Sequence, residues 1–378
     1  MSTRLYIRPI GLAPSPQSED GEAVRLAGGM VYAHRFALIQ REGDRVVERE
    51  RVSAPQMEAA LARLPGDLAA EGAAQWAGLQ ASHAPLQLPV RDGGVRSIRL
   101  DQPQVMGILN MTPDSFSDGG KFLDDPAEAR NHAGAMLEAG AAIIDVGGES
   151  TRPGAPAVWE GDELKRVLPL VEGLAAMGAA ISIDTRRVGV MEAALKAGAQ
   201  VINDVSALRH DPRALEFVAA RSEAVILMHA PGKQGGDGGD LHDCAHYAHP
   251  ALDVFDWLRD RRDAAMAAGI ARERIILDPG IGFGKSLAHN LAVMNALPLY
   301  HALGQPILLG ASRKRFVGAL ANEAPAHKRL GGSIAVALHG MNAGVQLLRV
   351  HDVAETVQAR DVWRGLRDGA LTDFSDLP

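Results

Sequence analysis

Residues 105–146 have the sequence VMGILNMTPDSFSDGGKFLDDPAEARNHAGAMLEAGAAIIDV, and this stretch contains the repeating unit of the fold. A short apolar run lies at each end, and such runs are typical of strands that are covered on both faces in a parallel sheet. Between them, Asp125, Pro126 and Glu128 are start signals of a helix, and Gly140 is a stop signal. The stretch therefore predicts a strand, a polar loop, a helix and a second strand.

The same alternation continues to the end of the chain. Gly/Pro-rich loops and amphipathic stretches separate eight apolar runs, which are VMGIL, AAIIDV, AAISID, QVIND, AVILMH, RIILD, PILLGA and QLLRVH. Eight strand–helix units over roughly 270 residues match the size of a (β/α)8 barrel. A doubly wound open sheet is the competing fold. We predict an α/β protein, a (β/α)8 TIM barrel with a small N-terminal extension.

The ends of the apolar runs favour the barrel over the open sheet. A polar or charged residue lies at or next to the end of nearly every run: Asn110, Asp145, Asp184, Asn203, His229, Asp278, Ser312 and the pair Arg349 and His351. In a barrel the carboxyl ends of the strands converge on one mouth, where catalytic groups lie. In an open sheet the same side chains would lie along a line.

Two later segments carry further helix signals. In HDPRALEFVAA, Asp211 predicts a second cap that is followed by proline. In DVAETVQARDVWRGL, Asp352 and Glu355 predict a capping box, and the apolar face is expected to continue to Trp363 and Leu366.

Residues 1–100 lack the repeating pattern. The runs YIRPIGL and MVYAHRFALIQ predict strands, an Ala-rich segment around residues 56–65 predicts a helix, and HAPLQLPVRDGG is expected to be a linker. We predict an N-terminal extension or small subdomain of unknown role over residues 1–100 and a barrel over residues 101–378.

The composition narrows the classes of partner. The chain has 378 residues, a formal net charge of −7 and no long basic stripe, which argues against binding to nucleic acid. Cys244 is the only cysteine, so no intrachain disulfide can form and a reducing compartment is expected. Since no apolar run has the length of a signal core or a membrane span, we expect a cytoplasmic protein without a membrane partner.

Two polar loops follow the first two strands. The loop MTPDSFSDGG offers oxygen ligands of the kind that Mg²⁺ prefers, although a plain Gly/Ser/Asp turn would have the same composition. In DVGGESTRPGA, Thr151 is a hydrogen-bond donor and Arg152 can bind an anion through two hydrogen bonds, although a Gly-rich turn is again the alternative. Their shared place after a strand favours a binding site formed by both loops.

The later loops contain glycines and cations. ILDPGIGFGKS resembles a nucleotide P-loop, but Pro279 occupies the position of the first glycine, so the motif fails. Phe283 and Lys285 are expected to be prominent on this glycine loop, although a core position for Phe283 is the alternative.

At the ends of the last two strands, Lys314 contributes to a cationic pocket with Arg349 and His351, where barrels often bind phosphate. Arg315 is expected to be a solvated charge at the start of a helix.

The segment DLHDCAHYAH is a weak candidate for a zinc site. Its possible ligands are His242, Cys244, His246 and His249. Their spacing fits no common zinc pattern, so we expect a polar helix entry. The chain also lacks a G-x-S-x-G elbow, an H-E-x-x-H motif and a dinucleotide-binding G-x-G-x-x-G that opens a βαβ unit.

Taken together, the motifs resemble the dihydropteroate synthase family. The matching segments are GILNMTPDSFSDGG, IIDVGGESTRPGA, ISIDTRR, VINDVSAL, LMH, ILDPGIGFGK, LLGASRKRFVG and LLRVHDV, over roughly residues 104–368. The resemblance implies a barrel that joins 6-hydroxymethyl-7,8-dihydropterin diphosphate to 4-aminobenzoate and releases diphosphate in folate synthesis. It also implies Mg²⁺, a homodimer and competition by sulfonamides.

The resemblance assigns a role to individual residues. The implied catalytic residues are Asn110, Asp118, Lys314, Arg349 and His351. The implied pterin-binding residues are Asp184, Asn203, Asp278, Lys314 and Arg349. Diphosphate would contact Asn110, Thr151, Arg349 and His351, and Mg²⁺ would contact Asn110 and Asp118. The aminobenzoate pocket would consist of Phe116, Thr151, Arg152, Pro153, Phe283 and Ser312.

Two other functions share part of this pattern. A barrel that transfers a methyl group from methyltetrahydrofolate to a corrinoid would keep the pterin-binding residues but would not need the first two loops. A homologue that has lost catalysis would have lost one or more of five residues, all of which are intact: Asn110, Arg152, Lys314, Arg349 and His351. The segment LMHAPGKQGG and the N-terminal hundred residues depart from the family pattern.

Overall fold

The computed structural model describes residues 3–18, 21–90, 93–112, 126–151, 155, 158–232, 241 and 245–372. The elements of the first hundred residues are β1 (Thr3–Ala13), β2 (Gln17–Ser18), β3 (Gly21–Glu22), β4 (Val24–Arg25), β5 (Tyr32–Glu42), β6 (Arg45–Ser53), α1 (Met57–Ala62), α2 (Gly66–Gln80), β7 (Leu86–Pro89) and β8 (Val95–Ile98).

The remaining elements alternate along the chain. They are β9 (Gln104–Asn110), α3 (Pro126–Glu138), β10 (Ile143–Gly147), α4 (Glu160–Ala176), β11 (Ile181–Asp184), α5 (Val188–Ala197), β12 (Val201–Asp204), α6 (Ala214–Ala219), β13 (Ala224–Met228), α7 (Pro250–Ala267), β14 (Ile275–Asp278), α8 (Leu287–Met294), β15 (Leu308–Leu309), α9 (Arg315–Leu320), α10 (Leu330–Asn342), β16 (Leu347–Val350) and α11 (Val353–Ala370). A 3-10 helix covers Leu297–Leu303. Among the described helices, none has the length and apolar character needed to cross a membrane.

Strands β9–β16 form one parallel sheet in the order β14-β13-β12-β11-β10-β9-β16-β15. The outermost strands of this order, β14 and β15, meet through a parallel bridge between Leu277 and Ile307, so the sheet curls into a nearly closed barrel. Each predicted apolar run overlaps one of these strands. The predicted (β/α)8 barrel is confirmed, and the open-sheet alternative is wrong.

A β-hairpin closes the floor of the barrel. β7 and β8 pair antiparallel, with Leu86 opposite Ile98. The apolar side chains of the hairpin share one buried cluster with residues at the amino ends of the barrel strands, among them Met106, Ile143, Val201, Ala224, Ile276 and Leu347. The expectation of a linker is therefore wrong for Leu86–Pro89, whose alternate side chains are buried. Because the hairpin covers the amino ends, the carboxyl ends form the open mouth.

The N-terminal residues form an antiparallel sheet in which β5 pairs with β1 on one side and with β4 and β6 on the other. The two strands predicted here are confirmed. The predicted helix is confirmed as α1, while α2 was not predicted. Gln75 of α2 accepts a hydrogen bond from the backbone of Ile7 at 2.9 Å and donates one to Leu5 at 2.6 Å. A helix side chain thus satisfies the edge of β1 that would otherwise expose free backbone groups.

Polar contacts attach this sheet to the outside of the barrel. Tyr6 donates its hydroxyl proton to Asp256 of α7 at 2.7 Å, and Arg41 lies 2.6 Å from Asp253 of the same helix. Arg4 also contacts Asp256, at 2.9 Å. The predicted boundary between residues 100 and 101 stays a prediction.

The predicted helix starts are partly correct. α3 begins at Pro126 as expected, and Gly140 has the positive φ of a helix stop. Asp211 accepts from the backbone of Arg213 at 3.0 Å, but it also accepts from Val188 at 3.1 Å, at the start of α5. Its carboxylate thus joins two neighbouring helix starts.

The predicted capping box at the start of α11 is wrong. The carboxylate of Asp352 makes no cap hydrogen bond and instead accepts from Nε of Arg313 at 3.0 Å. The apolar face of α11 does include the buried Trp363, but Leu366 is 72% exposed, so the face ends earlier than expected.

Candidate active site

The carboxyl ends of four neighbouring barrel strands align four residues in one row. The strand register pairs Asn110 of β9 with Gly147 of β10, and Gly147 with Asp184 of β11. Asp184 in turn pairs with Asn203 of β12. A Cβ added at Gly147 would lie 3.2 Å from Oδ1 of Asn110 and 3.5 Å from Cβ of Asp184. Glycine therefore keeps the row accessible where a larger residue would crowd both polar side chains.

Arg349 of β16 joins two carboxylates across the mouth. Its Nε donates to Oδ2 of Asp145 at 2.6 Å, and its terminal NH2 donates to Oδ2 of Asp184 at 2.8 Å. The amide of Asn203 completes the cluster, since its Nδ2 lies 3.2 Å from Oδ2 of Asp145. Asp145 is fully buried, so this cation–carboxylate cluster is shielded from water and its charge-assisted hydrogen bonds are strong.

Burial and neighbouring charges shift the protonation of this cluster. Burial raises the pKa of Asp184; the guanidinium of Arg349 opposes this rise and the carboxylate of Asp145 adds to it. Burial alone would lower the pKa of Arg349, but the two carboxylates outweigh it and raise the pKa. Arg349 therefore stays a cation, while Asp184 takes up a proton at a higher pH than an exposed aspartate does.

The buried Asp278 at the end of β14 and the half-buried Lys314, which follows β15, influence each other through their charges. Burial raises the pKa of Asp278, and the charge of Lys314 opposes the rise. Burial lowers the pKa of Lys314 to about 8, with Asp278 as the opposing influence. The ammonium group of Lys314 donates to the carbonyl oxygen of Ile281 and lies 4.4 Å from the ring centroid of Phe283. This lysine is thus held by the glycine loop that follows β14.

The glycine loop, residues 279–285, has a defined internal structure. Asp278 accepts from the backbone of Gly280 at 2.7 Å, and Nζ of Lys285 donates to the carbonyl of Gly280 at 2.8 Å. Lys285 also lies 2.8 Å from Nδ1 of the buried His229. Phe283 is buried in a small apolar cluster with Val205, Met228 and Ala230. The expectation that Phe283 and Lys285 are prominent is wrong, because both pack inward and shape the loop.

Ser312 and His351 connect the ends of the last two strands. Nδ1 of His351 lies 3.1 Å from Oγ of Ser312, and the backbone of His351 donates to the same oxygen at 3.3 Å. Between Ser312 and Lys314, Arg313 has φ +54 and forms an ion pair with Asp352. Since a positive φ is unfavourable for arginine, this pair and the adjoining contacts hold a strained turn that orients both neighbours.

Comparisons with known proteins identify the family of this site. The profile of the pterin-binding enzymes matches residues 106–351. The chain is 44% identical over 282 residues to a dihydropteroate synthase of Neisseria meningitidis, which covers 73% of this chain and 97% of the relative. The chain belongs to the dihydropteroate synthase family.

Solved structures agree with this assignment. The dihydropteroate synthase of Xanthomonas albilineans with 4-aminobenzoic acid is 44% identical, with a TM-score of 0.67, and the match covers 75% of this chain and 98% of that one. The Yersinia pestis enzyme in complex with a sulfonamide drug is 43% identical, with a TM-score of 0.68, and the match covers 75% of this chain and 100% of that one. Members of the dihydropteroate synthase family are transferases, so the chain belongs to a family of enzymes.

The structure brings together most of the residues that the family resemblance singles out. Those at the mouth are Asn110, Asp184, Asn203, Asp278, Phe283, Ser312, Lys314, Arg349 and His351. Thr151 is half-buried just after β10. Phe116, Asp118, Arg152 and Pro153 lie outside the described residues. Arg315 is exposed at the first position of α9, as expected.

Part of the candidate zinc segment lies among the described residues. His242 and Cys244 lie outside the described residues, while His246 is exposed and His249 precedes α7. Among the described residues there is no group of three or more His, Cys, Asp or Glu side chains that could hold a metal. The expected polar helix entry stays a prediction.

The sequence placed Asp145 at the end of a strand and Lys285 in the glycine loop, but it assigned neither residue a specific role in the site. Asp145 interrupts an otherwise apolar run, and a lone carboxylate inside a buried strand is a signal of a paired charge. Lys285 follows three alternate glycines, and its three acceptors are two carbonyl oxygens of its own loop and Nδ1 of His229, which directly follows β13. For Lys285 the sequence contains no equivalent signal, because contacts between distant segments decide its role.

Proposed function

We propose that this protein is a dihydropteroate synthase that joins 6-hydroxymethyl-7,8-dihydropterin diphosphate to 4-aminobenzoate and releases diphosphate. The observation that carries the proposal is the cluster in which Arg349 binds Asp145 and Asp184 beside Asn203. It combines hydrogen-bonding groups for a heterocycle with a cation for a phosphate group at the open mouth of the barrel.

The pterin would bind to the polar groups deepest in the mouth. Asp184 and Asn203 offer a carboxylate and an amide on adjacent strands, and Asp278 adds a carboxyl group from β14. The amino-pyrimidinone edge of a pterin carries donors and acceptors that these groups can match. Lys314, with its pKa lowered to about 8, remains mostly charged at neutral pH and can donate to a ring acceptor.

The leaving diphosphate would meet the cations at the end of β16. Arg349 is already charged and oriented by its two carboxylates, so little reorganisation is needed when negative charge develops. His351, whose ring is held by Ser312, and the amide of Asn110 are the further groups proposed for the diphosphate. Thr151 is proposed as a fourth contact.

Mg²⁺ fits the residues proposed to hold it. The amide oxygen of Asn110 lies beside the bare backbone of Gly147, where an added Cβ would come within 3.2 Å of it. Asp118, outside the described residues, would add a carboxylate, and both are the hard oxygen donors that Mg²⁺ prefers. A bound Mg²⁺ would neutralise charge on the departing diphosphate.

The aromatic amine would enter from the side of the second loop. The proposed pocket contains Thr151, Arg152 and Pro153 together with Phe116, Phe283 and Ser312. The bond between the pterin methylene carbon and the diphosphate oxygen breaks, and the amine nitrogen forms a new bond to that carbon and loses one proton. Because the amine itself is the nucleophile, the chain supplies orientation and charge stabilisation and needs no covalent intermediate.

A coupled assay for diphosphate release tests the proposal. Release should require pterin diphosphate, 4-aminobenzoate and Mg²⁺ together, and mass spectrometry should find 7,8-dihydropteroate as the product. Absence of release under every condition would contradict an enzymatic role. A sulfonamide should compete with 4-aminobenzoate and not with the pterin substrate.

We also propose that the protein works in the cytoplasm as a homodimer. The single cysteine is compatible with a reducing compartment, and the family resemblance supports the dimer. Analytical ultracentrifugation at micromolar concentration distinguishes the monomer from the dimer.

A further inference from the structure

The carboxylate of Glu149 accepts hydrogen bonds from three residues. Its Oε2 accepts from Arg186 at 2.8 Å and from Arg187 at 3.0 Å, and its Oε1 accepts from Arg187 at 3.0 Å. Oε1 also accepts from the backbone N–H of Val158 at 3.4 Å. Only 5% of the side chain is exposed, so these contacts form away from bulk water.

Arg187 extends the network to a second buried carboxylate. Its NH1 group lies 2.6 Å from Oε2 of Glu163, in the first turn of α4, and the side chain of Glu163 is fully buried. Two guanidinium groups therefore face two carboxylates, and their formal charges balance. Removing one member of such a buried set leaves the remaining charge without compensation.

The network joins the two ends of the second loop to the end of β11. Glu149 lies two residues after β10, and Val158 lies two residues before α4, so one carboxylate holds both ends of the segment that contains Thr151. Arg186 and Arg187 immediately follow β11 and tie these ends to the next strand. The base of the second loop is thus fixed to the barrel.

The pKa of Glu149 agrees with a permanently charged carboxylate. Burial would raise the pKa, but the hydrogen bonds and charges of Arg187 and Arg186 outweigh burial and lower it. Glu149 therefore keeps its negative charge and its ion pairs with the two arginines throughout the neutral range.

We propose that Glu149 and Arg187 are positioning residues that set the affinity for the aromatic amine by holding the base of the second loop. This inference rests on the proposed function, because Thr151 is there assigned to the amine pocket. The hydrogen bonds that hold the pterin-binding cluster are those of Asn203 and Arg349 to Asp145 and of Arg349 to Asp184, and Glu163 acts on Asp184 only through its charge. The two substrates should therefore respond differently when the network is weakened.

The test is Glu149→Gln, which keeps the shape of the side chain and removes its charge. KM for 4-aminobenzoate should rise about tenfold, while KM for the pterin diphosphate should rise by a clearly smaller factor, because Thr151 is the only one of its proposed contacts that lies in the second loop. The matched control is Glu192→Gln, the same substitution in an exposed ion pair with Lys196 at 2.8 Å, which should leave both constants unchanged. An equal rise in both KM values, or no rise in either, would overturn the proposal.

A second, more conservative variant shows whether a rise in KM comes from the weakened network or from a misfolded protein. Arg187→Lys keeps a positive charge but cannot bridge two carboxylates with a planar fork, so it should raise the KM for the amine by a smaller factor than Glu149→Gln. Hydrogen exchange of the backbone amide of Val158 provides a readout without turnover. Its exchange should become faster in both variants, and unchanged exchange would overturn the proposal. Wild-type protein that releases no diphosphate would instead contradict the proposed function.

Discussion

The guanidinium of Arg349 lies 2.8 Å from the carboxylate of Asp184, although 165 positions separate the two residues in the chain. Strands β9 and β10 lie between their strands in the barrel, so the contact spans the mouth. Arg349 therefore does two things at once. It compensates two buried carboxylates and presents a cation where the proposed diphosphate would depart.

Replacing Arg349 separates these two roles. Arg349→Ala should lower kcat by at least ~10²-fold, because it removes a charge that stabilises the leaving group. It should also lower the free energy of unfolding by ~3 kcal/mol at pH 8, since Asp145 and Asp184 lose their partner. The measurements are steady-state kinetics and urea unfolding, with Arg63→Ala in an exposed ion pair as the control.

The stability loss in this variant should depend on pH in a defined direction. Burial raises the pKa of Asp184 in the folded chain, and loss of the Arg349 cation removes the influence that opposes this rise, so the folded chain binds more protons than the unfolded chain. Stability then falls as pH rises, and the deficit should be larger at pH 8 than at pH 5.5. Near-normal turnover in the folded variant would refute the role assigned to Arg349.

Lys314 should determine the alkaline limit of activity. Burial lowers its pKa to about 8, and the proposed role needs the charged form. The value of kcat/KM should therefore be full below this pKa and fall as pH rises through it. Lys314→Arg should move the decline to higher pH at a lower maximal rate, because guanidinium stays charged. An alkaline limb that is the same in wild type and variant would contradict this assignment.

His301 should make folding sensitive to acid. Burial lowers its pKa to about 4, and its Nε2 lies 2.9 Å from the carbonyl oxygen of Ala343. Because the folded pKa lies below the unfolded value, the unfolded chain binds more protons between about pH 6.5 and 4. The free energy of unfolding should therefore fall as pH drops through this window, by about 2 kcal/mol at pH 5 from this residue.

Urea unfolding at pH 7 and pH 5 measures the contribution of His301. His301→Gln should show a smaller loss between the two values than wild type, while His327→Gln, at an exposed position, should behave like wild type. A pH dependence that His301→Gln leaves unaltered would assign the effect to other groups, such as His83, whose pKa burial also lowers to about 4.

Gly280 should tolerate no side chain. Its φ is +65, and an added Cβ would lie 1.9 Å from the carbonyl oxygen of His229. Gly280→Ala should lower the free energy of unfolding by at least ~2 kcal/mol and reduce activity, because the loop that holds Lys314 must move. Gly331→Ala in α10, where nothing lies within 4 Å of the added atom, is the control and should be neutral or stabilising. Equal thermal stability of both variants would disprove this account.

The sequence predicted the barrel strands and the start of α3 correctly, because both depend on residues that are close together in the chain. The apolar runs from VMGIL to QLLRVH coincide with the eight barrel strands, since residues covered on both faces must be apolar. The start of α3 at Pro126 follows from backbone chemistry within one turn. The capping box predicted at Asp352 is absent for a physical reason. The carboxylate of Asp352 binds the guanidinium of Arg313 in an ion pair instead of accepting from a backbone N–H at the start of α11.

The sequence by itself determined the barrel, the polar ends of its strands and, through its motifs, the family. Only the tertiary structure decided how the charges pair: Arg349 with Asp145 and Asp184, Glu149 with Arg186 and Arg187, and Lys285 with His229. It also decided that the segment expected to be a linker forms the barrel floor. The physical reason is that periodicity reports which face of an element is buried, whereas a buried charge takes its partner from whichever distant segment the closed barrel places within hydrogen-bonding distance.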